Sequence, residues 1–411
     1  MSRARDLANL GNNAGGLETL TVSDITDITA TASELNKLDG VTATTDELNL
    51  VDGSVSGPLS HRNMIINGGM QIWQRAASAT TVTAGYQTVD RFGFFEGTHG
   101  AYTVEQETLS VADQGTTGQR TAIELNVTSQ TTSLSNAQYA YFRQRIEAQN
   151  CQHLAYGSSG AKTLTLSFWG KSNLTGTYTV FLRKNDSTLY YIVKEYTISS
   201  ANTWEKKEIT ITPTEGSTSL ITSSSGVINN DNGPGIDVGF GLAFGSDFHT
   251  TKDTWQTAED YSTSSAVNWM NSTSNNFYLT GVQLELGSVA TPFEHRSFAD
   301  ELARCQRYFY KCTRAAYALG RGNGSSNIAD LGLPVAVPMR DTDNLTFDGT
   351  GQWYAIDSGS YVNGTNAGFT PITGVEHGII ITGQVSGLNS MTDNRFGMVL
   401  FSSGYSFHSE L

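Results

Sequence analysis

The chain is short of charge, proline and cysteine. Of its 411 residues only 16% are charged, 7 are proline and 3 are cysteine. Basic residues are the scarcer sign, 25 Lys and Arg against 39 Asp and Glu, for a net charge of −14. Such a chain is repelled by phosphate backbones and anionic head groups, so nucleic acid is excluded as a partner. No apolar run approaches the roughly 20 residues that cross a bilayer as a helix, so no membrane insertion is expected. The start, Met1-Ser2-Arg3-Ala4-Arg5-Asp6-Leu7, is basic but lacks the apolar stretch of a secretory leader. The odd number of cysteines (Cys151, Cys305, Cys312) argues against a disulfide framework. A helix over 297–312 would set Cys305 and Cys312 on one face about 10 Å apart, beyond disulfide reach. Small buried hydrophobes in a reducing compartment are the expectation.

Glycine (42), Ser, Thr and Asn are abundant, together with 17 Tyr, 18 Phe and 6 Trp. A disordered chain would lack these aromatics. The composition fits short strands joined by tight polar turns, an all-β protein.

Residues 1–57 are different, with no aromatic, Cys or His. They can bury too little apolar area to fold alone. They do repeat: Glu34-Leu35-Asn36, two residues, Asp39-Gly40 is echoed by Glu47-Leu48-Asn49, two residues, Asp52-Gly53. Apolar residues recur at spacings of three in Ile25 and Ile28, Leu35 and Leu38, and Leu48 and Val51. A narrow seam on a thin segment suits a shaft in which identical seams of several chains meet.

Gly57-Pro58 marks a boundary. The segment 63–75 then reads as strand, Gly-Gly turn, strand. Period-two strands follow at 121–127, 163–169, 178–183, 204–212 and 277–285, the pattern of a two-sheet sandwich or jelly roll. In 297–312 the spacing of Phe298, Leu302, Cys305, Phe309 and Cys312, with Ser297 as N-cap, predicts a helix. Short strands return from 313 to 411. The run 331–340 carries Pro334 and Pro338, which demote it to an edge or irregular strand.

Enzymatic motifs fail. Gly170-Lys171-Ser172 ends like a phosphate loop, but Thr165 stands where its first glycine belongs. Cys151 and His153 lack a second pair for zinc. The runs 229–233 and 341–344 offer oxygen ligands but read as turns. Carboxylates such as Glu205 and Glu208, or Asp341 and Asp343, form no identifiable glycosidase pair. No catalytic residue, metal or cofactor is expected. Trp353, Tyr354 and Tyr361, set among Gly, Asp, Ser and Asn, are the candidates for stacking on sugar rings.

The two Glu-Leu-Asn repeats resemble the shaft repeat of phage tail-fibre proteins. Residues 2–8 resemble the start of virion proteins of phages that infect marine bacteria and cyanobacteria. Asn63 to Arg75 with Asp90-Arg91-Phe92 is similar to the opening of a β-sandwich head in phage fibre and receptor-binding proteins. Gly281 to Gly287, Ala290 to Glu294 and Glu301 to Tyr308 resemble its closing signature, and Val337-Pro338-Met339-Arg340 the start of its C-terminal module. The resemblance implies a homotrimer in the virion, made in the host cytoplasm and released by lysis. Residues 1–20 (Arg3, Arg5, Leu7, Leu10) would attach to tail or capsid proteins and 21–57 form the shaft. Residues 58–312 would form a jelly-roll-like sandwich ending in the helix, and 313–411 a smaller β-sandwich tip. The implied role is adsorption to a host-surface glycan or protein. A capsid-attached fibre or knob and a surface-polysaccharide hydrolase are the alternatives. As structural words, Arg75, Asp90 and Arg91 are expected to form an ion-pair cluster closing the sandwich, and Pro292 to Glu294 to turn its last strand into the helix.

Overall fold

The computed structural model describes residues 61–313 except His99, and beyond them 316–322, 328–341, 345–349, 352–355, 360–362, 369–371, 380–386, 396–401 and 404–411. The shaft positions Ile25, Ile28, Leu35, Leu38, Leu48 and Val51 and the attachment positions Arg3, Arg5, Leu7 and Leu10 lie outside the described residues.

The expected all-β sandwich is present. Strands β1 (Thr80–Thr81), β4 (Ala101–Thr108), β5 (Thr121–Ser129), β12 (Asn276–Leu286), β7 (Leu164–Ser172) and β10 (Glu205–Ile211) form, in that spatial order, one antiparallel sheet. β2 (Ala84–Gly85), β3 (Phe92–Glu96), β6 (Tyr139–Glu147), β11 (Pro234–Phe244), β8 (Gly176–Lys184) and β9 (Tyr190–Ile198) form the second. Alternation decides which face is buried: in β11, Ile236, Val238, Phe240 and Leu242 enter the main core, while Asp237 and Gly239 belong to the opposite face. Phe240 stacks on Phe142 at 5.0 Å and meets Phe168 edge-on at 5.2 Å, so rings from both sheets interlock.

The opening segment departs from the sequence reading. Residues 63–75 contain no strand; only the turn at Gly68-Gly69 is as expected, closed by Met70 N to Asn67 O (3.0 Å). Asparagine side chains replace a partner strand. Asn63 Oδ1 accepts from the amides of Ile65 (2.9 Å) and Leu284 (3.1 Å), and its Nδ2 donates to Val282 O (3.0 Å). Asn67 Oδ1 accepts from Gln71 and Ile72, and its Nδ2 donates to Ile72 O and Asp90 O. These bonds satisfy buried backbone groups without a ladder. Gly68 is required here, since a Cβ would stand 2.1 Å from Val282 O.

Among the described residues, two α-helices accompany the sheets. The first, α1 (Val111–Thr117), went unpredicted although Ser110 caps it through Asp113 N (3.1 Å) and Gly118 closes it at φ 70°. The second, α2 (Phe298–Gln306), starts as expected, with Ser297 Oγ accepting from Asp300 N. It stops six residues early. Phe309–Cys312 instead forms β13, paired with β22 (Tyr405–His408), because an aromatic run with a waiting strand edge favours extended backbone over another helical turn. Cys312 therefore leaves the helix, and no disulfide joins the cysteines.

The remaining strands form two sheets. β13, β22 and β16 (Thr346–Gly349) make one. β18 (Ser360–Val362), β17 (Gln352–Ala355), β21 (Phe396–Phe401), β14 (Ala316–Gly322), β15 (Ile328–Pro334), β20 (Ile380–Ser386) and β19 (Phe369–Pro371) make the other, in that order. The expected edge position of 331–334 is corrected: β15 lies inside its sheet, which it can do because Pro334 is its last residue. Residues 335–340 form no strand, as the second proline requires.

Candidate functional site

Of the three aromatic candidates of the sequence, Tyr361 is on β18, the edge strand of the seven-stranded sheet, and Trp353 and Tyr354 are on β17 next to it. Backbone register sets Tyr354 of β17 opposite Tyr361 of β18, and Trp353 opposite Val362.

The quoted sequence words converge on a buried seam. Arg75 Nη1 bonds Asp90 (2.8 Å) and its Nη2 bonds Glu410 (2.9 Å). Arg91, expected beside Asp90, instead pairs with Glu410, donates to Arg145 O (2.5 Å) and stacks on Tyr308 at 3.3 Å. Burial pushes Asp90 up to about 7 against the opposing pull of Arg75. Arg307 grips Glu147 with two bonds (2.8 and 3.0 Å); burial raises that carboxyl, and the arginine outweighs it and leaves it below its usual range. Glu294 accepts from the amides of Arg62 and Asn63, and Arg296 links it to Glu301. Arg340 donates to Ser409 O (2.6 Å), Asn232 O (2.9 Å) and Glu410 O (3.3 Å). The words thus fasten chain ends to sheets. They hold the sandwich shut and present little to a ligand.

The outer face of the first sheet is of another kind. Register lays Glu105, Glu124, Tyr278 and Lys171 in one row across β4, β5, β12 and β7. The neighbouring row carries Glu107 opposite Ala122 and Trp169 between Thr280 and Lys206. Trp204, from the turn before β10, folds over this face and forms a small buried cluster with Leu109 and Ala122, against which Trp169 and Tyr278 pack. Lys171 Nζ lies 4.2 Å from the Tyr278 ring centre and 4.8 Å from that of Trp204.

Polar groups surround the rings. Tyr278 donates to Glu124 Oε1 (2.7 Å), and Asn126 bridges Glu124 (3.0 Å) and Glu105 (3.4 Å). Burial, then Glu124, raises the Glu107 carboxyl, while Lys171 pulls it down. Burial and the bond to Glu124 raise Tyr278 well above its usual range, so the phenol stays protonated. Beside these rings the buried Gln119 amide, at both ends, and the buried indole N–H of Trp204 have no protein partner among the described residues. Gln119 lies beside Gly281, at φ 63°, where a Cβ would meet the Trp169 ring at 3.1 Å and the Gln119 side chain at 3.6 Å. The result is two half-buried rings, Trp169 and Tyr278, over a buried Trp204 and Gln119, ringed by carboxylates and one ammonium. Sequence reasoning missed it. Trp169, Trp204 and Tyr278 were visible as strand residues, but nothing local says which face they occupy.

Among the described residues no group of three or more His, Cys, Asp or Glu is placed to hold a metal ion, and no helix is long and apolar enough to cross a membrane. No family model matches the chain, and no curated protein does. Solved structures are similar at low identity. The enzymatically active domain of tailspike protein 4 of Bacteriophage CBA120 is 14% identical over 55% of this chain and 21% of that one, with a TM-score of 0.28. TmCBM61 in complex with beta-1,4-galactotriose is 11% identical over 55% and 99%, with a TM-score of 0.25. The family 11 carbohydrate-binding module of a Clostridium thermocellum cellulosomal cellulase is 12% identical over 53% and 99%, with a TM-score of 0.25. All three scores are below 0.5, and the β-sandwich architecture is read from this chain's own strand order.

Proposed function

We propose that this protein is a phage fibre component that adsorbs to a host-surface glycan without cleaving it, using the outer face of the first sheet. The supporting observation is the pair of half-buried rings Trp169 and Tyr278, backed by buried Trp204, with Lys171 against the Tyr278 and Trp204 rings and carboxylates in the same rows. A pyranose has an apolar face and a rim of hydroxyls. The face stacks on the rings, and the rim meets the carboxylate acceptors and the Lys171 donor. Three acids and two lysines along these rows favour a neutral, hydroxyl-rich sugar over an anionic one. Residues 1–20 attach the fibre to tail or capsid, and 21–57 join three chains, so that three weak sites act with avidity. This part of the reading rests on the repeat and on the resemblance it carries.

The test uses the full chain, intact host cells and neutral oligosaccharides, with the supernatant assayed for sugar. Trp169→Ala and Tyr278→Ala should each weaken binding tenfold or more, about 1.5–2 kcal/mol, with both variants melting lower but still folded at the assay temperature. Undiminished adsorption in both variants would move the receptor site elsewhere, with Trp353, Tyr354 and Tyr361 next in line. Released oligosaccharide would make the hydrolase reading right, with Glu105 and Glu124, direct cross-strand neighbours, the first carboxylates to remove.

A further inference from the structure

The opposite face of the sandwich has the opposite charge. Register sets Arg145 of β6, Asp237 of β11, Arg183 of β8 and Tyr191 of β9 in one row across the second sheet. Arg143, two residues before Arg145, is on the same face opposite Gly239. Three guanidiniums therefore surround one carboxylate. Asp237 is fully buried and already engaged: Oδ2 accepts from Arg143 Nη1 (3.0 Å) and Arg145 Nε (3.4 Å), and Oδ1 from Asn185 (2.8 Å).

The arginines are not fully engaged. Arg183 makes no ion pair among the described residues, and its buried Nε has no partner. Arg143 is about nine-tenths buried and its Nε is also unpartnered. Aromatic rings fix the two planes: Arg143 lies 4.8 Å over Phe95, and Arg183 5.6 Å from Tyr191. Of the other acids near this face, two are paired with cations and Glu259 is not. Glu259 accepts from Tyr261, Glu195 from Lys252 and Thr263, and Glu410 from Arg75 and Arg91. Three guanidiniums against the carboxylates of Asp237 and Glu259 leave a net positive patch on a chain whose net charge is −14.

We propose that Arg143, Arg145 and Arg183 form a binding site for an oxyanion, a carboxylate or a sulfate, carried on a carbohydrate. Guanidinium forks fit planar and tetrahedral oxyanions with paired N–H bonds, and rings stacked behind them hold the forks in place. Phe95, partly exposed beside Arg143, supplies apolar surface for the sugar that bears the anion, while Tyr191 is buried and backs Arg183. The site is separate from the platform on the first sheet and does not depend on it.

The experiment titrates the full chain with an oligogalacturonate, a sulfated oligosaccharide, a neutral oligosaccharide of equal length and inorganic sulfate, at low and high salt. The acidic oligosaccharides should bind, and weaken at least tenfold at high salt. Arg183→Gln removes the arginine that does not hold Asp237 and should weaken acidic-sugar binding at least tenfold at unchanged melting temperature. Trp169→Ala should leave that binding intact, which separates this site from the platform. Equal binding of neutral and acidic oligosaccharides, or full affinity in Arg183→Gln, would overturn the proposal. Inorganic sulfate binding as tightly as the oligosaccharides would overturn the carbohydrate assignment.

Discussion

Glu410→Ala removes one carboxylate from between two arginines, and the structure sets the size of the loss. Arg91 is fully buried, Arg75 is 6% exposed and Glu410 9%. Each arginine makes a charge-assisted bond to Glu410, worth about 1.5–3 kcal/mol when solvent is absent. Relaxation recovers part of that. Arg75 keeps Asp90, and Arg91 keeps Arg145 O and the Tyr308 ring. The expected cost is about 3–5 kcal/mol, as for a buried pair broken from one side. Urea unfolding at unchanged slope measures it. Proteolysis should show β22 freed first, since Glu410 is two residues beyond that strand and links it to the sandwich. The control is Glu208→Ala, whose partner Lys206 is 41% exposed; that pair should be worth less than about 0.5 kcal/mol. A loss below about 1 kcal/mol for Glu410→Ala, with an unchanged cleavage pattern, would refute the claim that this seam is dry and fastens the C-terminal strands.

Asn67→Ala deletes four side-chain bonds to buried backbone and should cost about 2–4 kcal/mol in thermal or urea unfolding, although it removes no apolar contact of note. Asp90 gives a pH signature. Its carboxyl titrates near 7 when folded against 3.8 as a free group, so its stabilising contribution is full below about pH 4 and is lost as pH rises through 7. Asp90→Asn lacks that loss, so the stability of the parent relative to the variant should fall between pH 4.5 and 8, by at most about 4 kcal/mol. A difference that grows with pH would show Arg75 keeping the carboxyl ionised. Deleting residues 313–411 strips β13 of its partner and two arginines of Glu410. The product should melt lower and aggregate, and a sandwich of full stability would contradict the seam.

The strands were legible because each shows one face to a core: 121–127, 163–169, 178–183, 204–212 and 277–285 alternate, and each is a strand of the sandwich with bounds shifted by a few residues at most. Where pairing came from side chains the reading failed. Asn63 and Asn67 do the work of a strand edge, and no hydrophobic period records that. The early end of α2 was illegible because its cause, β22, lies about a hundred residues further on. The short α1 had a local signal, Ser110 three residues before Asp113 with Gly118 behind, and it was overlooked. The platform was illegible for a stronger reason. Glu105, Glu124, Lys171 and Tyr278 become neighbours only through the register of four strands, and aromatic residues inside a strand look the same whether they face core or solvent.

That strand order also bears on how the chain is made. The central strands of the two sheets, β11 and β12, are the last of the sandwich to leave the ribosome, and the opening segment at 63–68 bonds to 282–284 and to Glu301. At roughly 5–20 residues per second, the first strands wait on the order of ten to fifty seconds for their partners. During that interval β4–β5 and β8–β9 can form hairpins, but neither sheet can close. Nascent chains held close together by neighbouring ribosomes would expose the same unfilled gap to one another, so production at low temperature or on sparsely loaded messages should raise the soluble yield.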